Sequence, residues 1–447
     1  MTTQKQEKPS AVRGAKQGGE SQRPLWVEAA AWTDRMLEAL ERGVQGGVWF
    51  ALIDKVYRVK NLEAAYERVK ENGGSAGVDH VSVEDFGKNL ERELKKLSAG
   101  IQEGTYRPQS VKRVHIPKAG GGKRPLGIPT VRDRVVQAAV RQVIEPIFEH
   151  EFLNCSYGFR PNRGCKDALR VVDELLEQKR IVVEADIKGF FDMISHDKLM
   201  KFVGQRIQDS RILNLLELLL KQGIVEQGEE FDPAREGTPQ GGVISPLLAN
   251  VYLHVLDVAL TEQGYNLVRY ADDFVVLCET EEEGARAKES ITKVMESIEL
   301  ELHPTKTQVV DMRQIGASFE FLGYRFKNHK GEFLRYPRHK SIMKLRDSIR
   351  RLTPRLSGAK MEEIIVRVNQ TLKGWYEYFK HSSRNAFPAH DSWVRMRLRA
   401  ILSRRNRCCS RRYGSTHKRW QNSYFTDLGL FCASAKHKSE RFQPACR

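Results

Sequence analysis

The sequence predicts an α+β fold, and three observations carry the prediction. Short stretches alternate or run apolar as strands do, at Val111–Pro117, Ile181–Asp186, 267–270 and 273–277. Stretches with helical spacing lie between them without a regular βαβ repeat. After about Pro337 helical spacing dominates and the chain turns strongly basic.

Taken in order, residues 1–23 are Lys, Gln, Gly and Ser without periodicity and read as a disordered arm. Residues 26–62 hold enough apolar side chains for one or two helices. A Gly-rich turn follows at Asn72-Gly73-Gly74-Ser75-Ala76-Gly77-Val78-Asp79, then a helix over 83–97. Val111–Pro117 and 126–129 flank Ala119-Gly120-Gly121-Gly122-Lys123-Arg124-Pro125, a hairpin with a basic tip. Residues 132–148 place Val135, Val136, Ala139, Val140, Val143 and Ile147 on one helical face. In Ile181–Asp186, Ile181, Val183 and Ala185 point one way, Glu184 and Asp186 the other. Residues 246–260 read as an amphipathic helix. Ile365, Val368, Leu372, Trp375 and Phe379 mark another helix, and basic residues crowd 395–419.

At 447 residues the chain is long enough for roughly two to four domains. Apolar residues at 40% and charged ones at 29% are those of a soluble protein, but the net charge of +17 points to a polyanionic partner. No apolar run is long enough to span a bilayer, and residues 1–23 lack the apolar segment of a secretory signal, so the expectation is a cytoplasmic, nucleic-acid-associated protein without a membrane partner. The seven cysteines include no C-x-x-C pair, which fits free thiols. Cys408, Cys409, Cys432, His417 and His437 match no zinc-ligand spacing.

The chemistry centres on Tyr270-Ala271-Asp272-Asp273. Aspartates are common in turns for backbone reasons alone. Here, however, the flanking strands are apolar (Leu267, Val268, Phe274, Val275, Val276, Leu277), so two adjacent carboxylates would repel one another in a poorly solvated place. A divalent cation relieves both problems. With Asp186 at the end of its own strand, facing Asp272 if the strands lie side by side, the set is a hard-oxygen site suited to Mg²⁺. Two such ions can activate a primer hydroxyl and neutralise a pyrophosphate leaving group.

Around these residues stands an ordered set of motifs: Arg113-Val114-His115-Ile116-Pro117-Lys118 with Lys123-Arg124-Pro125-Leu126-Gly127-Ile128-Pro129; Ser156-Tyr157-Gly158-Phe159-Arg160-Pro161; and Ala185-Asp186-Ile187-Lys188-Gly189-Phe190-Phe191-Asp192. Next come Gly237-Thr238-Pro239-Gln240-Gly241-Gly242-Val243-Ile244-Ser245-Pro246; Tyr-Ala-Asp-Asp; Lys306-Thr307; and Phe321-Leu322-Gly323-Tyr324. Over about residues 60–400 the sequence resembles reverse transcriptases, most closely the group II intron reverse transcriptase/maturase family. Each motif alone is modestly specific, whereas the ordered set is very specific.

The resemblance implies a right-hand polymerase with fingers, an antiparallel palm sheet, a helical thumb and a basic C-terminal extension. Asp186, Asp272 and Asp273 are then the catalytic carboxylates. Asp186, Asp272 and the Ile187 carbonyl hold two Mg²⁺ ions, with Mn²⁺ able to replace them. Lys118 and Arg124 clamp the incoming triphosphate, where a bidentate Arg and a point-charge Lys both suit the task. Phe191 is similar to the gate against a ribose 2′-hydroxyl, Gln240 lines the nucleotide pocket, Gly241 and Gly242 let backbone approach the substrate, and Lys306 meets phosphate charge. Arg395, Arg399, Arg404, Arg405, Arg407, Arg411 and Arg412 resemble the family's DNA-binding extension. Implied partners are an RNA template, the parent intron RNA, a DNA primer or target, and deoxynucleoside triphosphates.

The domains expected on this basis are an arm (1–23), an N-terminal extension with fingers (24–180), a palm (181–336), a thumb or maturase domain (337–400) and a basic extension (401–447). The paired cysteines of the endonuclease domain found in many members are missing, so second-strand cutting is not expected. His303-Pro304 stands where many relatives have Asn before Lys-Thr. Two other readings use the same residues. One is a relative recruited to DNA repair, phage defence or CRISPR spacer acquisition, and the other is an RNA-binding splicing factor with a dead polymerase.

Overall fold

The structure, a computed structural model, describes residues 23–44, 47–117, 122–226, 229–231, 237, 241–406 and 413–442. Among them the strands are β1 (Val111–Pro117), β2 (Lys123–Ile128), β3 (Ile181–Asp186), β4 (Ile224–Glu226), β5 (Glu229–Phe231), β6 (Asn266–Tyr270), β7 (Asp273–Cys278), β8 (Gln308–Asp311), β9 (Ser318–Phe321), β10 (Tyr324–His329) and β11 (Glu332–Pro337). They form three sheets, ordered β2-β1-β4-β5, β6-β7-β3-β8 and β11-β10-β9. The mixed α+β class is the one expected.

The middle sheet is antiparallel throughout. Strand β3 is covered on both faces, with Glu184 and Asp186 at the polar end of one of them. Ile181, Val183 and Ala185 enter a large core shared with the Val131–Glu151 and Ser245–Glu262 helices. Val182 enters a second core with Val275, Leu277, Phe319, Phe321, Phe326 and Phe379. That second core clamps the β9–β11 sheet and the end of the Met361–Phe379 helix beneath β3.

Several elements differ from expectation for local reasons. The 83–97 helix is two, Val83–Lys88 and Leu90–Glu103, broken at Asn89, whose backbone leaves the helical region (φ −122°, ψ 29°). Ser82 accepts from Asp85 N and caps the first of them. The Ser245–Glu262 helix is not amphipathic. Leu247, Leu248, Val251, Leu253 and Leu256 are buried, and so are the polar Asn250 and Asp257, because sheet and helices enclose it. The region from 26 to 62 forms helices Asp34–Arg42 and Ile53–Val56 and the start of Val59–Asn72.

Beyond Pro337, helices His339–Leu352, Met361–Phe379 and Pro388–Arg405 share a core with Trp420, Phe425 and Leu430. The expected boundary at 400/401 falls inside the Pro388–Arg405 helix, which packs Leu398, Ile401 and Leu402 into that one core. Of the expected arm only Arg23 is described, and it pairs with Asp34 at 2.7 Å. Among the described residues no helix is long and apolar enough to cross a membrane.

Candidate active site

The β6–β7 hairpin closes with Tyr270 opposite Asp273, so Ala271 and Asp272 are its two turn residues. Ala271 has φ +58°, as the first position of a tight primed turn demands. In the β3–β7 ladder the residue directly opposite Asp186 is Asp273, not Asp272 as expected, and Asp272 sits beside the pair in the turn. Opposed residues share a face of the sheet, so three carboxylates gather at one sheet end.

Beyond the ladder, His303 N donates to Asp186 O (2.8 Å) and Lys188 N donates to Glu301 O (2.9 Å), flanking an Ile187–Leu302 bridge. In such a non-hydrogen-bonded antiparallel pair the Ile187 carbonyl is turned away from Leu302, to the β7 side of the strand. A main-chain oxygen thus joins the carboxylates.

Burial pushes the Asp273 carboxyl up to about 7, and the neighbouring Asp272 and Asp186 charges push the same way, while a hydrogen bond from Leu322 N (3.3 Å) opposes them. Lys306 Nζ donates to Asp186 Oδ2 at 2.6 Å. Among the described residues no three His, Cys, Asp or Glu side chains could by themselves hold a metal ion. The donor set of two carboxylates and a carbonyl, all oxygen, fits a hard cation that completes its shell with water and substrate phosphate, the usual habit of Mg²⁺.

The loop 156–161 braces the hairpin tip. A Cβ at Gly158 would lie 2.3 Å from Ala271 N, so only glycine allows this approach. Arg160 anchors the loop through Glu149, Leu153 O and Ser156 O. Behind the turn lies a buried group that sequence reasoning missed, Arg269 with Asp257, Asn250 and Ser156. Its signal was a lone Arg inside an apolar strand.

The expected nucleotide contacts are only partly described. Lys118 and Gln240 lie outside the described residues, and Arg124 is placed by its backbone in β2, opposite Ile116. Phe191 is half-buried in a short 3-10 turn (Phe190–Asp192), with its ring edge-on to the buried Phe190 at 5.2 Å. The close approach at Gly241 is to the chain itself, since a Cβ there would lie 2.4 Å from the Gly127 carbonyl of β2. That contact ties the 241–246 segment to the basic hairpin.

A cavity of about 490 Å³, lined by Asp273, Gly323, Arg338, Lys344, Thr371 and Trp375, runs from the carboxylates to the C-terminal helices. The Trp375 ring packs on Phe379, Phe387 and His390 as core. The basic residues divide. Arg404 is exposed and Arg395 partly so. Arg405, also exposed, donates to the carbonyls of Ser357 (3.0 Å) and Ala359. Arg399 corrects the expectation. It is 4% exposed, donates to Trp420 O and Asn422 Oδ1 at 2.8 Å each and stacks over Phe425, so it holds the helical core and cannot reach a phosphate. Arg407, Arg411 and Arg412 lie outside the described residues, as do Cys408 and Cys409.

The chain is similar to known proteins over most of this region. The family described as reverse transcriptase (RNA-dependent DNA polymerase) matches residues 116–326, and the group II intron maturase-specific domain matches 342–420. Protein YkfC of Escherichia coli K12 is 34% identical over 355 residues, 70% of this chain and 89% of that protein. The group II intron-encoded protein LtrA of Lactococcus lactis is 41% identical over 196 residues, 43% of this chain and 32% of LtrA. A putative COX1/OXI3 intron 2 protein of Saccharomyces cerevisiae is 33% identical over 210 residues, 46% of this chain and 24% of that protein. A polymerase match over the carboxylate sheet, followed by a maturase match over the basic helices, leads to one assignment: the chain belongs to the group II intron reverse transcriptase/maturase family of RNA-directed DNA polymerases.

Proposed function

We propose that the carboxylate end of the β6-β7-β3-β8 sheet adds deoxynucleoside monophosphates to a primer 3′-end, copying an RNA template and releasing pyrophosphate. The observation that carries this reading is the β3–β7 register, which sets Asp186 against Asp273 with Asp272 alongside in the turn. In this reading the β1–β2 hairpin belongs to the fingers, the carboxylate sheet is the palm and the helices after Pro337 are the thumb.

The primer hydroxyl oxygen forms a bond to the α-phosphorus of the incoming nucleotide, the bond from that phosphorus to the oxygen bridging to the β-phosphate breaks with pyrophosphate leaving, and the hydroxyl proton passes to solvent water. Asp186, Asp272 and the Ile187 carbonyl would hold two Mg²⁺ ions. When bound, such ions would supply Lewis acidity toward the hydroxyl and countercharge for the leaving pyrophosphate. The half-buried Asp273 shapes the electrostatics and is braced by Leu322 N. Lys118, Arg124 and Lys306 supply countercharge to the triphosphate. The Phe191 ring would lie beneath the sugar, where a 2′-hydroxyl collides with it, and Gln240 would line the same pocket.

The maturase-matched helices and exposed basic residues such as Arg404 would grip nucleic-acid backbone, including the parent intron RNA, by phosphate and shape contacts. Splicing support and intron mobility would then be separate uses of one bound RNA.

Primer extension on an RNA template, with a DNA primer, Mg²⁺ and dNTPs, tests the polymerase. Full-length DNA is expected from the unmutated protein and none from Asp272→Ala, while splicing of the parent intron persists in that variant. A folded, unmutated protein that extends no primer on RNA or DNA would end the polymerase reading. Loss of splicing in folded Asp272→Ala would end the separation of roles.

A further inference from the structure

We propose that Arg269 is a positioning residue for the catalytic turn, acting through the Ala271 carbonyl on the placement of Asp272. The inference rests on the polymerase reading above and goes beyond it.

Arg269 is the one basic residue of β6, and it is fully buried. A guanidinium has five N–H donors, and all five have an acceptor here. Nε donates to Asp257 Oδ1 (2.6 Å) and Nη2 to Asp257 Oδ2 (2.5 Å), a bidentate pair with neither side chain exposed. Nη2 also donates to Ser156 Oγ (2.8 Å), and Nη1 donates to Asn250 Oδ1 (3.1 Å) and to Ala271 O (3.0 Å).

Neutralising a buried Asp257 would need only the first two of these bonds. The other three tie the 156–161 loop, the Ser245–Glu262 helix and the strand's own turn to one side chain. Ser156 belongs to the loop that braces the hairpin tip, and Asn250 donates onward to Gly158 O (2.8 Å) in that loop. The main chain repeats the connection, because Arg269 N donates to Cys155 O (2.8 Å) and Tyr157 N donates to Arg269 O (2.9 Å). The loop and the hairpin are therefore locked together up to the close approach of Gly158 and Ala271.

The fifth bond gives the network its purpose. A peptide unit is planar, so holding the Ala271 carbonyl fixes the plane that also contains Asp272 N and Cα. Ala271 has φ +58°, a backbone state that L residues adopt at a cost. The guanidinium holds the turn in that state and thereby fixes the direction from which the Asp272 side chain leaves the backbone. Lysine in this place could still meet Asp257, but as a single point charge it could not serve Ser156, Asn250 and Ala271 together.

The test compares Arg269→Lys, which keeps a buried charge pair, with Arg269→Met combined with Asp257→Leu, which replaces the pair by apolar groups of similar size. Folding is checked by circular dichroism. The readouts are steady-state extension and direct Mn²⁺ binding by electron paramagnetic resonance. Both variants should lower kcat by about a hundredfold, the cost of misplacing a reacting group by about an ångström. KM for dNTP and Kd for primer–template should stay unchanged, and Mn²⁺ should bind more weakly. Normal kcat and Mn²⁺ binding in either folded variant would overturn the proposal. Should neither fold, Asn250→Ala leaves the Arg269–Asp257 pair in place and should still lower kcat and weaken Mn²⁺ binding; normal values there would overturn it equally. An unmutated protein without extension activity would sink the polymerase reading alone, because the Mn²⁺ measurement reports on Arg269 independently of it.

Discussion

Lys306 Nζ lies 2.6 Å from Asp186 Oδ2, so a lysine ammonium neutralises a carboxylate proposed to bind metal. The two side chains are 57% and 38% exposed, and solvent screening leaves such a pair weak enough for a divalent cation to displace. Lys306 then becomes free to meet phosphate. Lys306→Met should bind Mn²⁺ more tightly, because its competitor is gone. It should also lose about ten- to a hundredfold in kcat/KM for dNTP, the worth of a hydrogen bond to a charged group. Metal titration by electron paramagnetic resonance and steady-state extension check the two halves, and weaker Mn²⁺ binding would show that Lys306 supports the site rather than competing for it.

Gly158→Ala puts a methyl group 2.3 Å from Ala271 N, against backbone that has no rotamer to change. Overpacking of this kind costs about 1–3 kcal/mol, so a lower melting temperature is expected with the fold retained. The hairpin tip must shift to make room, and extension should fall by about a hundredfold. An unchanged rate would mean that the turn tolerates displacement.

Arg404 and Arg399 lie five residues apart on one helix and should behave oppositely. Arg404 is exposed, so Arg404→Ala should reduce the salt dependence of RNA binding by about one counterion while leaving the melting temperature alone. Arg399 is buried on Trp420 O and Asn422, so Arg399→Ala should lower the melting temperature and leave the salt slope unchanged. Binding isotherms across a salt series, with thermal melts, separate the two.

His390 gives a pH prediction. Burial depresses its pKa below 6.5, Arg346 pushes the same way, and Asp391 opposes. Its ring packs against Trp375, and among the described residues its Nδ1 has no hydrogen-bond partner. As pH falls through 6.5 the unfolded chain takes up the proton first, so the folded state loses stability over that interval and downward to the lowered value. His254 shifts in the same direction, again chiefly by burial. Asp273, raised to about 7, works the other way over this interval, so the comparison is between proteins: on going from pH 7.5 to 5.5 the melting temperature of His390→Phe should fall less than that of the unmutated protein. An equal drop in the variant would assign the loss to other groups.

Much of the site was legible in the sequence because its signals are local. Alternation marked β3, short apolar runs marked β6 and β7, and the tight turn between those runs marked the hairpin tip. The partner of Asp186 was not legible. Register between strands some eighty residues apart depends on how β3 and β7 slide against one another, and no local pattern encodes that. Arg269 was hidden for a similar reason, since its partners come from three separate segments. The misreading of Arg399 was avoidable. Leu398, Arg399 and Leu402 share one helical face, and that phase already places Arg399 inward, although charge density along the run suggested phosphate contacts.

Phe379 belongs to the helices after Pro337, yet it is packed in the same core as Val182, Phe319, Phe321 and Tyr324 beneath the carboxylate sheet. The polymerase is consequently not a detachable module. Cutting the chain after β11 would not yield a smaller enzyme with a weaker hold on its template. It would leave the β9–β11 sheet under β3 but take Tyr378 and Phe379 away from the Tyr324 ring, so a trimmed form made for biotechnology would have to cover that aromatic floor again before any question of activity arose.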